Sequence, residues 1–389
     1  MRLITITPLR EAAAAAPAVP AAPGAPAPAT PGEVAILTQS GDALTLTALA
    51  RLAGWPVSAG MAQLSLVDLL TADPELGPIR EAFEAANPAA VKLAALRAGT
   101  FGFGAPIPRP SKAIGVGYNY LDHVKEQGLE RPARPVLFSM FANAVIGDGE
   151  PIRHPAGTHA LDLEAELAVV IGRRASRVAV ADALGCIAGY TAANDVTARD
   201  WQGQAVALRP GEQGDRQWLR AKGSDTFLPL GPVLVTADEV RAEGSPGDRM
   251  GLAVRSWVVK ASAVAGEAAA GGEDGSGAAG PRPGLPFLMQ DGNTADLIFS
   301  VAELIAMISE EVTLEPGDVI VTGTPSGVGV FRKPQVFLEP GDLVRVEVER
   351  IGTLTNPVTD ADGAAPAGSP AARFLASGGS EDAFEVGRH

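Results

Sequence analysis

The chain has 389 residues, of which 46% are hydrophobic, 20% charged and 5% aromatic, and its formal net charge is −14. This composition describes a globular protein with a sizeable core, and the length allows one large domain or two smaller ones. So acidic a balance excludes nucleic acid and an anionic membrane face as partners, because phosphate binding needs a basic surface.

Met1–Thr7 reads as a β-strand and Glu33–Thr38 as a second one. Between them, residues 11–32 are almost entirely Ala, Pro and Gly, which cannot bury enough side chain to offset their ordering entropy. The segment is expected to be disordered, as an enlarged hairpin loop. Val34–Leu37 and Leu44–Leu46 suit strands, whereas Leu64–Leu70 and Glu81–Ala85 suit helical turns. Residues 1–105 are therefore read as a small N-terminal α/β domain.

From Ile107 onward, short β-runs alternate with Gly and Pro. Ala113–Gly117, Val136–Phe138, Leu167–Ile171, Ile187–Ala192, Leu252–Val259, Val319–Thr322 and Leu343–Val348 are strand candidates. Val301–Ile308 is an amphipathic helix whose start is marked by Ser300 with Glu303 three residues on. The string LEPGD occurs at Leu314–Asp318 and again at Leu338–Asp342. Pro followed by Gly suits a type II turn, because Gly accepts the positive φ. These features predict a β-rich α+β catalytic region over 106–360, with a flexible Gly/Ala insertion at 261–284 and a disordered tail at 361–389.

The one cysteine, Cys186, lies in an apolar stretch and reads as a buried thiol, so no intrachain disulfide forms and a reducing compartment is expected. No stretch reaches the roughly 18 apolar residues that would span a bilayer. The opening MRLITITPLRE is too short and polar for a signal peptide. Cytoplasmic location and no membrane partner are the expectations.

The strongest local signal is LDLEAELAVVIG at 161–172. Glu164 and Glu166, at i and i+2 on a strand, share a face and run into an apolar stretch. Like charges at the mouth of a core call for a cation, and carboxylate oxygens suit Mg²⁺, Mn²⁺ or Ca²⁺. An exposed edge strand with solvated glutamates is the alternative. A second cluster, NDVTARDWQ at 194–202, ends an apolar strand in polar residues, either a functional loop or a turn with local ion pairs. In GVGYNYLDHVKE at 115–126, His123 and Glu126 stand at i, i+3 on one helical face. That pairing suits a general base, although such pairs also occur on plain surfaces. Lys222 lies in a polar turn where a solvated lysine is the default. The turn TGTPSGVG at 322–329 either offers N–H groups to an anion or is simply a tight bend.

In their order and spacing these segments, with RAKGSDTFLPLGP, QDGNTADLIFSVAELI and LEPGDVIVTGTPSGVG, resemble the fumarylacetoacetate hydrolase family from about Pro108 to Pro357. The resemblance implies a β-roll-like catalytic fold and a homodimer. It places a divalent ion, Mg²⁺ first, on Glu164, Glu166 and Asp195. It makes His123 and Glu126 the dyad that activates water, and Lys222 the lysine at the substrate or a developing oxyanion. Arg199, Gln202 and Thr324 fall on substrate-side positions. The implied activity is hydrolysis of a C–C bond in an acylpyruvate- or fumarylacetoacetate-like oxo-acid through a metal-stabilised enolate. The alternative is an isomerase, decarboxylase or lyase of a 2-oxo or 2-hydroxy-dienoic acid on the same platform, the chemistry of the aromatic-degradation branch. A non-catalytic metal-dependent binding protein is the third reading.

Two departures stand out. Met140 occupies the position where the family commonly has a lysine near the substrate, so a carboxylate partner is expected to be missing there. The stretch between Trp201 and Trp218 is also long, and is expected to reshape the pocket wall.

Overall fold

The computed structural model describes residues 1–8, 32–58, 60–241, 249–263, 280–379 and 384. The expected 11–32 loop, the middle of the 261–284 insertion and the end of the tail lie outside the described residues, apart from Gly32.

The molecule is organised around the strand Ala165–Ile171, all seven residues of which are buried. Successive side chains on a strand point to opposite faces. Leu167, Val169 and Ile171 pack with Tyr190, Val346, Val348 and the helix Val301–Glu311, while Ala168 and Val170 pack with Val319, Leu3, Leu49 and Leu66. Core on both faces explains why this strand reads as an unbroken apolar run. Ser300 caps the helix with Glu303 returning the bond, as its sequence predicts.

The large sheet runs in the order Ala43–Thr45, Val34–Leu37, Arg2–Thr7, Leu228–Thr236, Ile187–Asn194, Ala165–Ile171, Val319–Val321, Ala113–Gly117, Val136–Met140. The N-terminal strands are thus not a sheet of their own: Arg2 and Leu3 pair with Val235 and Leu234, extending the catalytic sheet. A second sheet holds Pro286–Asn293, Ala253–Val259, Leu343–Val348, Gly352–Thr359 and Ile152–Arg153. The strands that flank the 261–284 stretch pair antiparallel in it, with Val259 opposite Pro286.

Register decides where the functional segments meet. Ala165 faces Asn194 on one side, and Ala168 faces Val321 on the other. Val319–Val321 runs parallel to Ala113–Gly117. The start of the central strand therefore lies beside the chain leaving three neighbours, and all four segments emerge at one end of the sheet.

The tail departs from expectation: Pro370–Ala376 is a helix capped by Ser369, with Phe374 buried against Val259 and Leu343. Phe384 joins the same cluster, so two aromatics anchor a segment that otherwise looks like low-complexity chain.

Candidate active site

At that end of the sheet lies a cleft of about 350 Å³. Eight of the nine expected residues line it: His123, Glu164, Glu166, Asp195, Arg199, Gln202, Lys222 and Thr324. Glu126 stands behind His123, its Oε2 3.0 Å from Nδ1. An ionised carboxylate only accepts, so Nδ1 carries the proton and Nε2 is left as the basic nitrogen.

One carboxylate oxygen from each of Glu164, Glu166 and Asp195 falls within 4.8 Å of the others. Lys222 spends its three N–H bonds on Glu164 (2.8 Å), Asp195 (2.5 Å) and Thr197 (2.8 Å). Arg199 reaches Glu164 Oε1 at 2.7 Å, and its Nε donates to Asp162 at 2.9 Å. All six of these charged side chains are buried. Four carboxylates thus face two cations, leaving two negative charges over.

The titration of the carboxylates reflects that excess. Burial pushes Glu164 up, but Lys222 and Arg199 outweigh it and hold the carboxyl down at about 2. Burial raises Asp195 to about 7, against Lys222 and with help from Glu164. Glu166 is raised well above the carboxylate range by burial and by the charges of Asp195 and Glu164. Asp195 Oδ1 and Arg199 Nη2 are buried without a hydrogen-bond partner among the described residues. An orphaned carboxylate oxygen within a cluster two charges short of neutrality fits a hard divalent cation. The donor set is all oxygen, which suits Mg²⁺, Mn²⁺ or Ca²⁺ over softer ions.

Thr324, at the cleft wall, donates its hydroxyl to Ala165 O and accepts from Gln290, which braces the turn. One expectation looks different in place. Met140 does not face the cleft. It is buried with Ile107, Ala113 and Leu228, and Phe138, two residues earlier on the same strand, is the one that lines the cavity. The wall beside it is aromatic, with Trp218 packed on both Phe138 and Tyr118. Gln204 and Trp218 also line the cleft, so the long 202–217 stretch does shape its wall.

Several residues received no role in the sequence reading although they stand inside the quoted motifs. Asp162 accepts from Arg199, Gly329 and Val330 and so fixes the guanidinium. Gln290 ties Ala165 N to Thr324 and Pro325, and Asn194 Oδ1 accepts from Glu164 N. A polar residue inside an otherwise apolar run was the available signal.

The family described as fumarylacetoacetate (FAA) hydrolase C-terminal matches residues 112–359. The chain belongs to that family. Oxaloacetate tautomerase fahd2, mitochondrial, of Xenopus laevis is 41% identical over 254 residues, covering 65% of this chain and 67% of the relative. A putative HpcE protein from Mycobacterium smegmatis superposes with a TM-score of 0.63 at 29% identity, covering 93% of this chain and all of the other. The 5-carboxymethyl-2-hydroxymuconate delta-isomerase of the same organism gives 0.51 at 37% identity, covering 68% and 85%. These family relatives favour the isomerase alternative over the C–C hydrolase expected first. Among the described residues no helix is long and apolar enough to cross a membrane.

Proposed function

We propose that this chain is a divalent-metal-dependent tautomerase of a small 2-oxo-acid, with oxaloacetate as the first candidate. The observation that carries the reading is His123, held by Glu126, standing at a cleft whose carboxylates exceed their cations by two. A Mg²⁺ ion on Glu164, Glu166 and Asp195 supplies Lewis acidity toward the oxo-acid's oxygens. Every remaining step belongs to side chains. Arg199 holds the substrate carboxylate with Nη2, which has no hydrogen-bond partner among the described residues. His123 Nε2 takes the proton from the carbon next to the carbonyl, with Glu126 stabilising the imidazolium. Lys222, fixed by Thr197, balances the charge that develops on oxygen. Returning the proton to oxygen completes keto-to-enol conversion without any C–C bond breaking. Hydrolysis would need an attacking water at the same imidazole.

Two further parts of the reading concern assembly and location. Strand Val136–Met140 is a sheet edge where Val136, Leu137 and Phe141 are exposed, which supports pairing with a second copy. Cys186 is buried, in keeping with a reducing compartment such as the cytoplasm.

The test is keto–enol interconversion of oxaloacetate followed by absorbance, together with assays for pyruvate and acyl-acid release from acylpyruvates. Acceleration with Mg²⁺ that EDTA removes is expected, with no cleavage product. Cleavage of acylpyruvates without tautomerase activity would restore the hydrolase reading.

A further inference from the structure

The helix Leu121–Glu126 that carries His123 is only six residues long. A helix this short is not stable on its own and takes its position from contacts. The chain enters it through Tyr118 with φ of +57°, a left-handed conformation that a non-glycine residue keeps only when its surroundings impose it. Just ahead of the helix, Asn119 and Tyr120 bond residues 297–299, whereas the bonds that Asp122 and Glu126 send out of the helix go to one place, the turn after Val319–Val321. Asp122 Oδ2 accepts from Ser326 N at 3.0 Å and from Ser326 Oγ at 2.7 Å. Its Oδ1 accepts from His123 N at 2.7 Å. At the helix's other end, Glu126 Oε1 accepts from Gly327 N at 3.0 Å while Oε2 meets His123 Nδ1.

That turn is itself rigid. Gly327 has φ of +102°, and a Cβ there would collide with the Met289 carbonyl. Thr324 and Pro325 are tied to Gln290, and at the near end Gly323 N donates to Glu166 Oε2 at 2.6 Å. Five residues of backbone thus bond a carboxylate of the acidic cluster on one side and both ends of the histidine helix on the other.

We propose that Asp122 and Ser326 form a latch that fixes His123 in register with the Glu164–Glu166–Asp195 cluster. Asp122 is a positioning residue: it touches no ligand-facing atom, yet it ties the backbone of His123 to the turn that also holds Glu166. An ordinary first-turn aspartate would bond only its own helix, whereas two of the three bonds here come from a residue 204 positions away. The inference rests on His123 being the proton-transferring base.

The experiment measures kcat and KM for oxaloacetate tautomerisation in Ser326→Ala, Asp122→Ala, the double variant and Ser326→Thr, with His123→Ala alongside. Mn²⁺ affinity is read by calorimetry, and tryptic cleavage after the exposed Lys125 reports helix release. A displacement of about 1 Å is enough to slow a reaction on the order of 100-fold. The expected result is a roughly 10–100-fold fall in kcat in both alanine variants, KM and Mn²⁺ affinity within about twofold, and faster cleavage. Ser326→Thr restores kcat, and the double variant is no slower than the slower single one, as one shared interaction requires. If Asp122→Ala fails to fold, Ser326→Ala carries the test alone. Unchanged kcat in the alanine variants, with His123→Ala inactive, overturns the latch. A parallel loss of Mn²⁺ affinity overturns it too, because the turn would then be building the acidic cluster and not placing the imidazole. Full activity in His123→Ala instead removes the reading of His123 on which the latch depends.

Discussion

Asp318 and Asp195 are both almost wholly buried, at 0% and 1% exposure, but the groups around them differ in number and sign. Asp318 ends the first LEPGD turn, where Gly317 takes φ of +84°. Its Oδ1 accepts from Ser111 Oγ and Lys112 N, and its Oδ2 accepts from Glu315 N and lies 2.7 Å from Lys112 Nζ. The second LEPGD turn repeats the device, with Asp342 accepting from Ala261 N, Glu339 N and Lys260 Nζ. There each carboxylate has one cation and a full set of donors. Asp195 has Lys222 on one oxygen and no partner among the described residues on the other, with Glu164 and Glu166 close by. A satisfied buried acid holds a turn together, whereas a crowded and half-satisfied one is poised for a ligand.

Asp195→Asn breaks this contrast at the site and should have the largest effect. The substitution keeps the shape and removes one charge from the cluster. Tautomerase activity is expected to fall by at least about 100-fold, a size typical for losing one fixed electrostatic group. Mg²⁺ affinity, measured by calorimetry, should fall with it. Thermal unfolding of the metal-free protein should shift little, because relief of the like-charge contact with Glu164 offsets the weakened bond to Lys222, which keeps Glu164 as its partner. A large drop in stability would instead place Asp195 with Asp318, as a structural acid.

Asp318→Ala is the converse test. It leaves two part-buried N–H groups, the Ser111 hydroxyl and the Lys112 ammonium without their acceptor, which costs about 2–3 kcal/mol. Unfolding in denaturant should report that loss. The strand Val319–Val321 pairs on both sides of its run, so folded variant protein should keep kcat within about twofold, a much smaller change than the factor of ten that 1.4 kcal/mol on the barrier would bring.

The contrast between satisfied and crowded acids also explains what could be read from the chain. Glu164 and Glu166 were conspicuous as carboxylates feeding an apolar run, whereas Asp195 was joined to them only by the family resemblance; the apolar period located the strands Ala113–Gly117 and Leu343–Val348 and all but the first two residues of Ala165–Ile171. The strand Leu228–Thr236 went unread because Pro229, Gly231 and Pro232 interrupt it. Gly352–Thr359 was hidden the same way by Gly352 and Pro357. Asp162 and Gln290 stand out locally only as polar residues beside apolar runs, and with Asp122 they bond partners more than a hundred residues away, where no local pattern reaches. Met140 shows the opposite failure. A motif position pointed to the cleft, but packing against Ile107, Ala113 and Leu228 at the buried end of the strand places that side chain in the core.

The smallest expected effect comes from an acid that is neither crowded nor buried. Asp238 is more than half exposed and meets Arg80 through two bonds, 2.7 and 3.0 Å, joining the helix Gly77–Ala85 to the helix Ala237–Arg241. Burial nudges its carboxyl up, but hydrogen bonds from Thr236 and Arg80 outweigh that and hold it below the usual 3.8. A carboxyl depressed on folding stabilises the native state above its unfolded value and loses that contribution as pH falls through the folded one. Arg80→Ala should therefore cost about 0.5 kcal/mol at neutral pH, the ordinary worth of a solvent-screened pair. The difference from wild type should shrink with added salt and vanish once the pH is well below 3.8. Denaturant midpoints across that range measure it. A penalty as large as that of Asp318→Ala would mean that contact between the two helices, and not burial with a full set of donors, sets the worth of an acid in this protein.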